Sequence, residues 1–278
     1  STRGKDGPAL NPSFKTCIVL GGRGFVGSAI VAEARKRGYE VSVVEKDDYP
    51  AQVGRSADLL INANGNSKKF LAAQDPAQEF DLSVRSVERS LHDFSVRRYV
   101  HLSSIDVYPD FTHPARNTEN TPIDPRSISP YGFHKYLAEQ LVRYYAQSWL
   151  LFRMGGFVGP RLWKNSIYDL LKGRPIRVNP DSEYQYLYTL DLARVVLECV
   201  EAGLEGEVFN VCGDGTISLR SIAAMIPRAN LSACDPKAAR EHYEINVEKI
   251  KTHCALPKTE DSVRQFVTDV LNGKETLT

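Results

Sequence analysis

One stretch constrains this 278-residue chain more than any other: Leu20-Gly21-Gly22-Arg23-Gly24-Phe25-Val26-Gly27-Ser28. The apolar run Thr16 to Leu20 leads into it, and Ala29 to Gly38 follows with the look of a helix closed by glycine. Strand, glycine turn and helix in that order form a cradle for phosphate. The glycines supply dihedrals that side chains forbid and let backbone N–H groups approach a ligand. The helix N-terminus adds partial positive charge. Two registers fit the glycines, Gly22-x-Gly24-x-x-Gly27 and Gly21-x-x-Gly24-x-x-Gly27. The spacing alone specifies no particular nucleotide.

Composition bounds the partners. At 42% hydrophobic and 25% charged residues, the chain has ordinary globular composition, enough for one large or two moderate domains. A net charge of +1 gives no bulk attraction to nucleic acid or to an anionic membrane. No apolar run approaches the ~20 residues that span a bilayer. The expectation is therefore a small-molecule substrate, with no nucleic acid and no membrane. Residues 1–13 read as a flexible tail. The cysteines at 17, 199, 212, 234 and 254 are scattered without metal-ligand spacing. Cys17, Cys199 and Cys212 sit in apolar contexts that suggest buried thiols, which points to a reducing, cytoplasmic setting and no metal site.

Beyond Gly38, Tyr39 to Glu45 reads as a second strand ending in a carboxylate. In a dinucleotide fold, Glu45 accepts hydrogen bonds from ribose hydroxyls and repels a 2′-phosphate. Arg23 and Lys46 would stabilise that phosphate, so the reading is NAD with NADP left open. Ala57 to Ala63 is a short buried strand, followed by Asn64-Gly65-Asn66-Ser67. Gln78 to Phe94 has helical spacing, with Phe80, Val84, Val87, Leu91 and Phe94 on one apolar side. Arg97 to Leu102 is another strand, running into Ser103-Ser104-Ile105-Asp106-Val107-Tyr108. This alternation predicts an α/β fold: a Rossmann-type, doubly wound parallel sheet with ligands beyond its C-terminal strand ends.

Tyr131 and Lys135 stand four apart where Ser129-Pro130 starts a helix, so they share one face. A free tyrosine, pKa near ~10, is a poor base at neutral pH. A nearby ammonium favours phenolate. Tyr131 can then exchange a proton with a substrate oxygen while hydride moves to or from a nicotinamide. A serine from the preceding strand end can hold the same oxygen.

Glycine loop, acid, Ser-Ser strand and Tyr-x-x-x-Lys, in that order, resemble the short-chain dehydrogenase/reductase superfamily, specifically its extended branch, the NAD-dependent epimerase/dehydratase family. The resemblance covers Phe14 to about Val211. Gly21 to Gly27 looks like the GGxGF(I/V)G loop, Ser103 to Tyr108 like SSxxVY, and Tyr131 to Glu139 like YGxSKxxxE with His134 at the serine position. Arg153 to Pro160, Tyr188 to Ala193 and Glu207 to Val211 resemble further family strings. The resemblance implies a catalytic Ser104, Tyr131 and Lys135. It also implies cofactor contacts from Gly21, Arg23, Gly24, Phe25, Val26, Gly27, Glu45, Lys46, Asn64, Tyr131 and Lys135, and a homodimer formed through the Gln78–Phe94 and Tyr131–Trp149 helices. The glycine register then becomes Gly21-x-x-Gly24-x-x-Gly27. The family's dehydratases carry two adjacent acids after the serine or threonine. Here those positions hold Ile105 and Asp106, which favours epimerisation or keto reduction over elimination.

The expected domains are a dinucleotide-binding domain from 14–153 and 187–212, and a small, mostly C-terminal α+β substrate lobe from 154–186 and 213–278. Trp163 to Gly173 reads as a helix whose start faces the cleft. Asn165 and Lys164 are candidates for a substrate diphosphate, with Asp106 and Arg177 also assigned to substrate. Tyr184 stands where the family usually has a diphosphate-binding arginine. Ser218–Ile226 and Thr259–Leu271 read as short helices, and Tyr243–Val247 as a strand. The implied substrate is a sugar nucleotide. The rivals are a non-nucleotide ketone or alcohol, motivated by Tyr184, and a non-catalytic dinucleotide-binding regulator, which would be expected to lack the tyrosine or the lysine.

Overall fold

The computed structural model describes residues 14–232 and 237–278; the expected tail at 1–13 and Cys234 lie outside them. Short runs rich in Val, Ile and Leu become strands. In chain order these are β1 (Thr16–Leu20), β2 (Glu40–Val44), β3 (Ser56–Asn62), β4 (Ser95–Ser104), β5 (Trp149–Met154), β6 (Gly156–Val158), β7 (Glu183–Tyr184), β8 (Tyr186–Tyr188), β9 (Glu207–Val211) and β10 (Ile217–Ser218). Six of them form one parallel sheet in the order β2-β1-β3-β4-β5-β9. The expected doubly wound α/β architecture is observed. Two-stranded ribbons, β6 with β8 and β7 with β10, stand beside it. The chain crosses from β2 on one side of β1 to β3 on the other, which opens a crevice at the C-terminal end of β1. Such sheets commonly carry two strands outboard of the first. Here there is one, because the β2–β3 connection holds only the short helix Tyr49–Gln52.

Alternation along the strands serves both faces. Cys17 and Val19 pack with Ile30 and Ala34 of the Phe25–Lys36 helix and with Val196 and Val200 of the Thr189–Glu201 helix. Ile18 and Leu20 face the other way, toward Val87, Phe94, Ala138 and Val142. A third cluster joins Val158, Ile167, Leu170, Tyr186, Ile222 and Phe266 under the far wall of the crevice. Ile245, Val247, Ile250 and Cys254 pack into the main core with Phe209 and Val211. Cys17, Cys199 and Cys212 are buried free thiols. Among the described residues, no helix is long and apolar enough to cross a membrane.

Two expectations are corrected. The Gln78–Phe94 helix is interrupted by a π-turn at Asp81–Arg85, between the helices Pro76–Phe80 and Ser86–Asp93. A π-turn bonds i to i+5 and inserts one residue. Stepping back from buried Val84 therefore reaches Glu79, which is fully buried, while Phe80 turns out to 37% exposure. Tyr243–Val247 is not a strand. The Tyr243 and Glu244 N–H groups donate to the Glu183 and Phe111 carbonyls, and side chains serve the residues after them: Ile245 N–H donates to Gln185 Oε1, Gln185 Nε2 donates to the Ile245 carbonyl, and Asn246 N–H donates to Asn117 Oδ1.

His101, inside β4, is 4% exposed, and neither ring nitrogen has a hydrogen-bond partner. Burial, reinforced by the Lys135 charge, pulls its pKa from 6.5 down to about 3. The folded state thus refuses a proton that the unfolded state takes up below about pH 6.5. Stability should fall as pH drops through that window, by up to about 1.4 kcal/mol per pH unit. Urea denaturation across pH 4–7 should show a shallower acid slope in His101→Leu than in the wild type.

Candidate active site

The glycine loop builds one end of the crevice. Gly21 has φ +71°. A Cβ on Gly27 would lie 2.0 Å from the Gly21 carbonyl oxygen, so only glycine fits at 27 against this turn. That contact fits the Gly21-x-x-Gly24-x-x-Gly27 register. Gly22 is a packing glycine, where a Cβ would press on Val31 and Val43 at 2.9 Å. Gly24 caps the Phe25–Lys36 helix with no side-chain cap and no acid in the first turn. Its first N–H groups are thereby left to an anion. These features fit a dinucleotide pyrophosphate, and Gly24, Phe25, Val26 and Gly27 all line the cleft. Glu45, at the end of β2, accepts the Arg23 N–H at 2.7 Å. Arg23 and Lys46 are exposed. Asn64 backs Gly21 rather than lining the cleft; its Cα is 2.9 Å from where a Gly21 Cβ would be.

The cleft is about 640 Å³, and Ser104, Tyr131 and Lys135 all line it. Ser129 caps the Pro130–Tyr145 helix by accepting the Gly132 N–H at 3.0 Å, which fixes where Tyr131 enters. Tyr131 OH donates to the Asn66 carbonyl at 2.7 Å. Lys135 is 5% exposed, with Nζ 5.2 Å from the Tyr131 ring centre. Ser104 Oγ donates to Asp106 at 2.7 Å, and Lys69 holds the same carboxylate at 2.8 Å. Burial pulls the Lys135 ammonium below its usual range, against Glu79 and Asp106. Burial, then Asp106 and Glu79, push the Tyr131 phenol well up. The phenol is thus raised rather than lowered as the Lys135 spacing predicts, and Tyr131 stands as a donor to the Asn66 backbone carbonyl.

The substrate candidates divide. Asp106, Lys164, Asn165 and Tyr184 line the cleft; Arg177 is exposed and does not. Asn165 is committed at both ends of its amide. It accepts Tyr168 N–H as cap of the Ser166–Leu171 helix and donates to the Phe157 carbonyl. Its φ of +123° is strained for a non-glycine residue. Lys164 Nζ reaches across the cleft to Ser67 Oγ at 2.7 Å. Tyr184 OH donates to Glu241 at 2.5 Å. Lys69, Asn66 and Tyr243 also face the cleft, unassigned by sequence reasoning. Asn66 carries no motif, and Tyr243 was hidden by the strand reading.

Behind the cleft lies a buried network. Arg153 makes two hydrogen bonds to Glu139, at 3.0 and 2.8 Å, and a third to Tyr108 OH at 2.9 Å. Ser103 Oγ donates to Glu139 at 2.6 Å, and Tyr108 OH donates to Asn210 at 2.7 Å. This joins β4, β5 and β9 to the helix that carries Tyr131 and Lys135.

A doubly wound sheet with a glycine cradle at its switch point defines a dinucleotide-binding fold. Residues 17–212 match the NAD dependent epimerase/dehydratase family, and the chain belongs to that family of NAD(P)-dependent enzymes. It is 24% identical over 252 residues to a dTDP-glucose 4,6-dehydratase of Xanthomonas campestris pv. campestris, covering 72% of this chain and 71% of that protein. A UDP-glucose 4-epimerase from Thermotoga maritima, solved with UDP-glucose, superposes with TM-score 0.74 at 18% identity, over 94% of this chain and 100% of that one. A dTDP-4-dehydrorhamnose reductase from Bacillus anthracis, solved with NADP, gives 0.74 at 16%, over 93% and 99%.

Glu139→Gln strips the buried Arg153 of its counter-charge. The expected loss is about 3–5 kcal/mol of stability, measured by urea denaturation.

Proposed function

We propose that the chain is an NAD-dependent oxidoreductase or epimerase acting on a sugar nucleotide, as a 4-epimerase or 4-keto reductase. The observation that carries this reading is the convergence of Ser104, Tyr131 and Lys135 on the cleft that starts at the glycine loop. Bound nicotinamide would supply the hydride acceptor or donor. Gly21 to Gly27 would hold its pyrophosphate, Glu45 the adenosine ribose and Lys135, in the cleft, the nicotinamide ribose, while Asn64 supports the loop from behind Gly21. NAD is preferred over NADP because the Glu45 carboxylate, 2.7 Å from the Arg23 N–H, repels a 2′-phosphate. Tyr131 exchanges a proton with the substrate oxygen, and Ser104 holds that oxygen. Lys135, across the Tyr131 ring, favours loss of the phenol proton as the substrate enters. The curated relatives include dehydratases, yet the apolar Ile105 stands at one of the two acidic positions expected for elimination. Reduction would consume NADH stoichiometrically, whereas epimerisation would leave the cofactor pool unchanged.

A second reading, a non-nucleotide ketone or alcohol, draws on Tyr184. Its hydroxyl is tied to Glu241, and that carboxylate disfavours a diphosphate beside it. Calorimetry with UDP and dTDP separates the two: binding of either favours the sugar nucleotide, and absence of both favours the second reading. The buried thiols support a cytoplasmic setting. Phe80, Phe133, Tyr144 and Tyr145, all 36–82% exposed on the Pro76–Phe80 and Pro130–Tyr145 helices, support a homodimer through that face.

Tyr131→Phe should reduce kcat by ~10²–10⁴ while cofactor binding, followed by fluorescence titration, stays near wild type; retained turnover would remove Tyr131 as proton carrier. Tyr144→Glu paired with Phe80→Glu should shift the protein to monomer in sedimentation velocity, and an unchanged sedimentation coefficient would reject the dimer face.

A further inference from the structure

Glu79 is a carboxylate with no exposed surface, and the mechanism above does not use it. The π-turn at Asp81–Arg85 rotates it inward. Asn66 Nδ2 and Ser83 Oγ both donate to it, the latter at 2.5 Å. The Asn66 amide is oriented independently, because its Oδ1 accepts the Lys68 N–H at 3.0 Å. The Asn66 carbonyl in turn receives the Tyr131 OH at 2.7 Å. The same loop reaches the other two catalytic side chains. A Cβ on Gly65 would lie 3.3 Å from Lys135 Nζ, and Lys69 grips the Asp106 that receives the Ser104 hydroxyl. Buried Glu79 thus anchors a loop that touches Tyr131, Lys135 and, through Asp106, Ser104.

We propose that Glu79 is a positioning residue for this active site, acting through Asn66 on Tyr131. The proposal rests on Tyr131 being the proton carrier. The titratable groups set against Glu79 come from the catalytic helix: His134, with Nδ1 at 3.7 Å, Lys135 and Tyr131. Glu79 therefore does two things. It holds the Asn64–Lys69 loop in register, and its charge opposes ionisation of Tyr131 while supporting the Lys135 ammonium.

The test is Glu79→Gln, which keeps the shape and removes the charge. Cofactor affinity should stay within about threefold, while kcat falls about tenfold or more. The alkaline limb of the kcat/KM profile should move down by about one pH unit, the scale of one charge at this range in a protein interior. Tyrosine ¹³Cζ NMR, with Tyr131→Phe assigning the signal, should show the Tyr131 resonance displaced in Glu79→Gln. An unmoved pH profile together with an unmoved Tyr131 signal would overturn the proposal. So would loss of activity that tracks only a lower Tm. Should Glu79→Gln fail to fold, Asn66→Ala cuts the same link from the loop side. It should lower kcat comparably without moving the alkaline limb, and full activity there would also overturn the proposal. If the wild type turns over no sugar nucleotide, the functional reading fails, and the NMR signal alone decides the role of Glu79.

Discussion

The buried Arg153–Glu139 pair is the interaction on which the rest of this structure depends. Arg153 is 1% exposed and Glu139 not at all, so neither charge has water to fall back on. Among the described residues, their hydrogen bonds go to each other, to Ser103 and to Tyr108. A pair of this kind contributes little net stability relative to an apolar core, because desolvation offsets much of its attraction. Its effect here is geometric. Glu139 sits one helical turn beyond Lys135, so pinning it to β5 sets the rotation and height of the helix that presents Tyr131 and Lys135 over the strand ends.

Once the helix is set, the Asn64–Lys69 loop completes the cleft. It follows β3 at the switch point, where the sheet offers no further strand to pair with its backbone. Its order comes instead from side chains: Asn66 on Glu79, Lys69 on Asp106, and Ser67 receiving Lys164 from the opposite wall. The cleft therefore holds cationic groups from both walls around one carboxylate, Asp106. Tyr131 stays a neutral hydrogen-bond donor because burial and two nearby carboxylates act together against its ionisation. Under the proposed function, proton transfer from such a phenol needs a change in its surroundings, such as the entry of a substrate oxygen and a cationic nicotinamide.

Much of the scaffold was legible in the chain. β1 occupies Thr16–Leu20 as its apolar run implies, and the Thr259–Leu271 helix has the expected bounds. Gly38 closes its helix at φ +87°. Local chemistry dictates each of these: apolar periodicity, caps, and a glycine where φ must be positive. Other features escaped. A regular 3.6-residue period places Phe80 on the buried side, whereas the π-turn buries Glu79 and leaves Phe80 37% exposed. Tyr243–Val247 has strand-like composition, yet amides from Gln185 and Asn117 took the role of a neighbouring strand. Asn165, a candidate for substrate that lines the cleft, also caps the Ser166–Leu171 helix.

The sequence by itself determined the strand–loop–helix unit at Gly21–Gly27 and the parallel α/β architecture, and it singled out Ser104, Tyr131 and Lys135, which line one cleft. All of these follow from short-range periods, or from residue types whose chemistry is specific at a given spacing. Only the tertiary structure decided which polar groups are already occupied and which face the cleft. Arg177 turned outward, Lys164 crossed to Ser67, Tyr184 took Glu241, and a single inserted residue in a π-turn carried Glu79 behind Tyr131. The physical reason is that hydrogen bonding and desolvation depend on neighbours distant in the chain. A side chain's availability for catalysis is therefore a property of its packed surroundings, not of its local sequence.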